Sequence, residues 1–216
     1  MAYAYNRNIV PVVQDLMGGM IDFAVYGLDS SLADFYNAFL DSKYCIRVER
    51  ADSKTVMGRS GIELCYDILG RESIDSDAMN AYTAHAISQR SQEYWTGWAV
   101  AYYQWLTSLA YREINEVRDI NDIAAMYSVY HEMDISHFSD RMSEIYRQKH
   151  PDSKLKTMRM NAGLTQRELA MATEIPLKTI QQYEQRRKNI NSDSVDYLVT
   201  LSRTLNCDIE MLIEKV

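Results

Sequence analysis

Along LKTIQQYEQRRKN, residues 177–189, four side chains that donate hydrogen bonds recur at helical spacing: Lys178, Gln181, Gln182 and Gln185. Ile180 and Tyr183 interleave with them, so a helix here carries an apolar pair on one side and an amide-and-ammonium face on the other. A glutamine amide both donates and accepts, and a lysine donates with charge. Such a face needs a polar partner. The major groove of DNA is about 12 Å wide and admits one helix, and the residue types match its edges: glutamine to adenine, lysine to guanine, and threonine, here Thr179, by a hydrogen bond or by contact with the thymine methyl.

A reading face must be held at a fixed angle, and the flanking sequence is punctuated to do so. Residues 155–161 form an expected first helix, and Gly163 stands where a helix C-terminus takes a left-handed residue, with Leu164 after it to cover the end. Thr165 opens TQRE, a capping box in which the hydroxyl accepts from the Glu168 amide while the Glu168 carboxylate reaches back. In the helix that follows, Leu169 and Ala170 face inward, and the small Ala170 permits a close crossing. Pro176 suits the first turn of the next helix, where its missing N–H would be unpaired anyway. Ser192 is expected to cap a fourth helix with a buried stripe of Val195, Leu198, Leu201 and Leu205. Asp208 is expected to cap a short fifth, with Ile209, Leu212 and Ile213 inward. Upstream, Pro151 ends the preceding helical pattern and biases His150 away from helix. A boundary there separates a larger part, 1–150, from a small bundle, 151–216.

The run LKTMRMNAGLTQRELAMATEIPLKTIQQYEQRRKNINSDSVDYLVTLSRTLNCDIEMLI resembles the helix-turn-helix domain of the phage-repressor (Cro and C1, or XRE) family over 155–213. Leu164, Gln166, Leu169, Ala170, Ile175, Ile180, Glu184, Leu201 and Leu205 stand in register with the family pattern. The resemblance implies a five-helix lambda-repressor-like domain, a double-stranded DNA operator, and a homodimer on a palindromic site with half-sites roughly 34 Å apart. It also implies roles: Gln166 holds a phosphate at the start of the second helix, Leu177, Lys178, Thr179, Gln181 and Gln182 face the bases, and Arg186, Arg187 and Lys188 lie in a loop touching the DNA backbone. Arg167 and Gln185 complete the expected DNA-binding set. Arg159 and Glu184 occupy places where the family pairs arginine with glutamate across helices one and three, a structural pair. Two departures stand out: Glu174 and Arg186 occupy positions that often hold glycine, and a left-handed conformation costs a non-glycine residue about 1 kcal/mol. Leu177 is apolar at a base-reading position, which suits a thymine methyl or no base.

The whole chain, 216 residues with a formal net charge of −7, looks wrong for such a partner until the charge is divided. Residues 1–150 carry 13 basic and 21 acidic side chains, whereas 151–192 carry 8 basic and 4 acidic. Distribution matters here more than the total. Only 3 prolines and 8 glycines, with alanine, methionine and leucine at three- and four-residue intervals, predict an all-α protein. No apolar run is read as reaching the roughly 20 residues that span a bilayer, and MAYAYNRNIV lacks the layout of a signal peptide, so a cytoplasmic location is expected. Cys45, Cys65 and Cys207 are odd in number and unpaired in spacing, which predicts reduced, buried thiols.

In the larger part, helical spacing covers 8–28, 31–41, 56–69, 77–110, 121–133 and 136–149, and CIRVER is the one stretch suited to an extended form. Trp95, Trp98, Tyr102, Trp105 and Leu109 step by three and four, placing all 3 tryptophans on one stripe, with the small Gly97 and Ala101 beside it. A core helix is the preferred reading, and a partner or ligand surface formed by Trp95, Trp98, Tyr102 and Trp105 the alternative. His85, His131, His137 and His150 have no metal-ligand partner at helical spacing, and no phosphate loop or nucleophile motif is present, so neither a catalytic residue nor a cofactor is expected. For 1–150 two roles are weighed. One is the partner-binding half of an autorepressing antitoxin, whose acidity suits a basic toxin or other protein. The other is the small-molecule sensor of a phage-type or metabolic repressor.

Overall fold

The computed structural model describes residues 3–71, 75–86 and 91–216, with only the backbone of residues 81 and 84–86. The described residues contain helices and turns and no strand: the fold is all-α. They divide into two compact units, Ala2–Ile145 and Tyr146–Val216, so the division falls a few residues ahead of Pro151.

In the first unit α1 is Val10–Tyr26, α2 Leu32–Asp41, α3 Lys43–Glu49, α4 Ser53–Val56, α5 Gly61–Ile68 and α6 Ser76–Ala86. There follow α7 Gln92–Thr107, α8 Tyr111–Val117, α9 Ile120–Ala124, α10 Tyr127–Tyr130 and α11 Ile135–Lys149, the last running across the division. Helix starts are marked by side-chain caps: Ser31 accepts from the Asp34 amide, Ser60 and Glu63 form a capping box, and Ser91 accepts from the Tyr94 amide. Several boundaries depart from the periodicity. CIRVER is helical, because Ser42 caps α3 and turns Tyr44, Cys45 and Val48 inward. The expected helix 56–69 is two, interrupted ahead of the Ser60 cap, and 121–133 is likewise two short helices. Helix α8 was not foreseen. The expected helix 77–110 breaks into α6 and α7, and its residues 87–90 lie outside the described ones, as does the His85 side chain.

The core of this unit is the crossing of α1 and α7. A Cβ on Gly97 would stand 2.4 Å from the Met17 carbonyl oxygen, and one on Gly18 would stand 2.9 Å from the Tyr94 carbonyl oxygen. Only glycine permits that approach. Around it Met17, Met20, Ile21, Phe23, Ala99, Val100, Ala101 and Tyr103 are fully buried. This burial also accounts for Arg7–Tyr26, the turn before α1 and α1 together, 20 residues holding an 18-residue window of mean hydropathy 1.3, which is long and apolar enough by those measures to cross a membrane although no such run was expected. Its apolarity is spent inside the protein, on α7 and α5. Cys45 and Cys65 are buried free thiols pushed up to about 12, chiefly by burial, and Cys207 is half-buried and also raised.

The second unit holds α12 Lys154–Asn161, α13 Gln166–Thr173, α14 Leu177–Glu184 and α15 Val195–Leu205, with 3-10 turns at Ile190–Ser192 and Ile209–Met211. The expected fifth helix is thus a single 3-10 turn. Leu155, Leu169, Ile175, Ile180, Tyr183, Leu198, Leu201, Leu205 and Leu212 form one core, against which Ala170, Ile209 and Ile213 pack. The cap of α15 is Ser194 rather than Ser192, so the helix begins two residues later than expected, and Val195 is 69% exposed instead of lying on the buried stripe.

Candidate nucleic-acid interface

Helices α13 and α14 are fixed to each other by local chemistry. The Thr165–Glu168 capping box is formed in both directions, and its hydrogen bonds hold the Glu168 carboxyl below the usual range. Glu174 ends α13 with φ 58°, and Arg186 follows α14 with φ 53°, so both residues standing in glycine positions adopt the left-handed form. Pro176 sits one position earlier than expected, as the N-cap of α14, where its carbonyl accepts from the Thr179 and Ile180 amides. The Arg159 guanidinium grips Glu184 with two hydrogen bonds, at 2.6 and 3.0 Å, and also donates to the Leu164 carbonyl at 2.6 Å. The pair's side chains are 11% and 3% exposed, so α12, the turn before α13 and the end of α14 are locked by one buried ion pair.

The outward side of α14 matches the pattern that opened the sequence. Ile180 and Tyr183 are buried, Lys178 and Gln185 are exposed, and Leu177, Thr179, Gln181 and Gln182 are half-buried.

The basic residues sort into two groups. Lys156 pairs with Asp152 at 2.6 Å, and Lys188 bonds to Asp193 and lies over the Tyr183 ring. Arg186, expected to touch DNA, instead donates to the His150 and Asp152 carbonyls at 3.1 and 2.9 Å, with Glu214 at 3.6 Å. It braces the loop after α14 against the residues around Pro151, because its left-handed backbone turns the side chain back onto its own domain. Lys188 is likewise committed inside. Gln166, expected on a phosphate, donates to Glu184 at 2.8 Å and completes the buried pair. Arg167, Lys178, Arg187 and, on α15, Arg203 remain: all four are exposed and none forms an ion pair or hydrogen bond through its side chain among the described residues, and the first three lie at α13 and α14. Those three stand in the first turn of α13, in the first turn of α14 and just after it.

Residues 155–212 match the family model described as Helix-turn-helix, and the C-terminal domain is of the Cro/C1, or XRE, type. No curated protein and no solved structure matches the chain. This domain supports a DNA-binding transcription regulator of XRE type and suggests double-stranded DNA as its ligand.

The aromatic stripe of the first unit splits at its middle. Trp105, 4% exposed, stacks on Tyr3 at 4.3 Å and donates from Nε1 to the Tyr5 carbonyl at 2.9 Å, and Tyr102 tilts against it. Trp105 is thus covered by the chain's own N-terminal segment, which removes it from the expected partner surface, while Tyr102 is half-buried. Leu109 lies beyond the helix, which Ser108 closes in a left-handed cap. The other end is open. Trp95, 8% exposed, and the half-buried Trp98 line a cavity of about 260 Å³ with Tyr94, Tyr127 and His131. Spacing alone could not separate the two ends, since it carries no record of which neighbour covers which ring.

Proposed function

We propose that the protein is a sequence-specific, cytoplasmic operator-binding repressor that acts as a homodimer, with α14 in the major groove. Lys178, Gln181 and Gln182 read base edges, Thr179 and Leu177 meet thymine methyls, and Gln185 borders the groove. Arg167 and Arg187 neutralise phosphates. The observation that carries this reading is that Arg167, Lys178 and Arg187, exposed and without side-chain partners among the described residues, stand at the ends of α13 and α14, the latter with an amide-rich outward side. Binding to the protein's own upstream DNA, compared with scrambled DNA across a salt series, tests it: equal affinity for both would remove sequence-specific reading.

For the N-terminal unit the cavity beside Trp95 and Trp98 favours a small-molecule sensor, a specific feature that is concave and mostly aromatic. The antitoxin reading is favoured by the acidic excess of residues 1–150, which suits a basic protein partner. Adding the product of the neighbouring gene to the DNA-binding assay separates the two. A change in operator affinity supports the antitoxin, and its absence leaves the sensor.

A further inference from the structure

The cavity beside α7 is lined mainly by aromatic residues. Tyr94, Trp95, Trp98 and Tyr127 line it, His131 stacks on Tyr127 at 4.3 Å, and Met133 and Ile135 complete the apolar wall. Trp95 packs edgewise against Tyr127 and Phe138, at 5.7 and 5.4 Å between ring centres. Trp98 has no ring partner among the described residues, although it is half-buried at the cavity. An unpaired indole in such a place is available to a ligand.

Carboxylates stand close to the lining residues. No lysine or arginine lines the cavity. Asp15 accepts the Tyr94 hydroxyl at 2.7 Å, Glu132 lies 3.6 Å from His131 Nε2, and Asp134 adjoins two lining residues, Met133 and Ile135. Hydrogen bonds from Ser136 hold Asp134 below the usual carboxylate range, which keeps it ionised. Aromatic faces carry the negative end of their quadrupole, so several faces around one space attract a cation. A primary ammonium would need hydrogen-bond acceptors in place of its lost water, and these rings supply few. A quaternary ammonium carries no N–H, has no such need, and is a ligand class that aromatic cages accept well. The volume, about 260 Å³, sits just below the usual range of small-molecule pockets and suits a compact ligand.

We propose that the cavity lined by Trp95, Trp98 and Tyr127 binds a small quaternary ammonium cation. The proposal deepens the small-molecule reading given above and rests on it. The test uses the full-length protein, with tryptophan fluorescence and calorimetry as readouts. Choline is titrated against dimethylbutanol, its uncharged carbon isostere. Choline is expected to bind roughly tenfold tighter than the isostere, and Trp98→Ala to lose roughly tenfold for choline with far-UV dichroism unchanged. Should Trp98→Ala not fold, Trp98→Phe, which keeps a ring face, is expected to bind choline more weakly than the wild type and still better than the isostere. Equal binding of the two ligands, or no response to choline, overturns the cation assignment. Operator affinity is measured separately with and without choline: a cation that binds without changing it upholds the cavity and overturns the sensor reading.

Discussion

In the N-terminal unit two long helices, α1 and α7, meet so closely that Gly97 lies against the Met17 backbone, and nearly everything around the crossing is apolar. In the C-terminal unit four short helices are placed by a capping box, four left-handed residues and one buried ion pair, Arg159–Glu184. The first arrangement is set by shape complementarity between residues far apart in sequence. The second is set by hydrogen-bonded devices, most of them spanning a few residues. The difference teaches where each unit is vulnerable: a single added methyl threatens the first, whereas the second fails when a charge loses its partner.

The largest expected effect is on the ion pair. Arg159→Met leaves the Glu184 carboxylate buried with Gln166 as its remaining side-chain donor and should cost about 3–5 kcal/mol in urea unfolding of the C-terminal unit. Replacing both partners, Arg159→Met with Glu184→Leu, should recover most of that loss. If the double variant is no more stable than the single one, the buried charge is not what the single substitution exposes. At the other unit's crossing, Gly97→Ala should cost about 3 kcal/mol, because its neighbour is backbone and cannot give way. Gly19 sits one residue from Gly18 in α1 but would find nothing within 4 Å of an added Cβ, so Gly19→Ala should raise stability by about 0.5–1 kcal/mol. Similar losses at both glycines would show that helix crossing is not what distinguishes them.

Smaller shifts sharpen the account of the C-terminal unit. Arg187→Ala should weaken binding to all DNA about equally and flatten the salt dependence by about one unit of slope, since it contributes a phosphate contact without sequence content. Arg186→Ala, by contrast, should leave the salt slope nearly intact and lower stability, its side chain being spent on the carbonyls near Pro151. The smallest effect is one of pH. Lys188, the Tyr183 hydroxyl and the Ser194 amide hold the Asp193 carboxyl down at about 2. A folded-state value below the unfolded one, about 3.9, means that this contribution is present above pH 4 and is lost as the pH falls toward 2. Asp193→Asn should remove that part of the acid sensitivity, as read by unfolding midpoints across this range.

Much of the C-terminal domain was legible in the sequence because its signals are local. The Gly163 terminus, the Thr165–Glu168 box and the Ile180–Tyr183 pair each declare themselves within a few residues. Even the Arg159–Glu184 pair came through the family resemblance. What escaped were choices between adjacent candidates and the fates of long side chains. Ser192 and Ser194 both suit a cap, and only packing selects the second. Arg186 and Arg187 are chemically identical neighbours, yet one turns inward to backbone carbonyls and the other stays free. In the N-terminal unit the helical periodicity was visible, but the glycine crossing and the burial of Trp105 beneath Tyr3 depend on contacts between residues far apart in sequence. Periodicity shows that a residue has an inner or outer side and leaves open what covers it.

The central claim is that α14 reads DNA sequence through its polar face. It is tested most directly by the affinity of the full-length protein for its own upstream DNA and for scrambled DNA, measured for the wild type and for Gln182→Ala. A base-reading glutamine predicts a loss of about 1–3 kcal/mol on the upstream DNA and little change on the scrambled one, so that the two affinities converge. Equal losses on both would contradict it, leaving Gln182 a general contact and α14 without its assigned role.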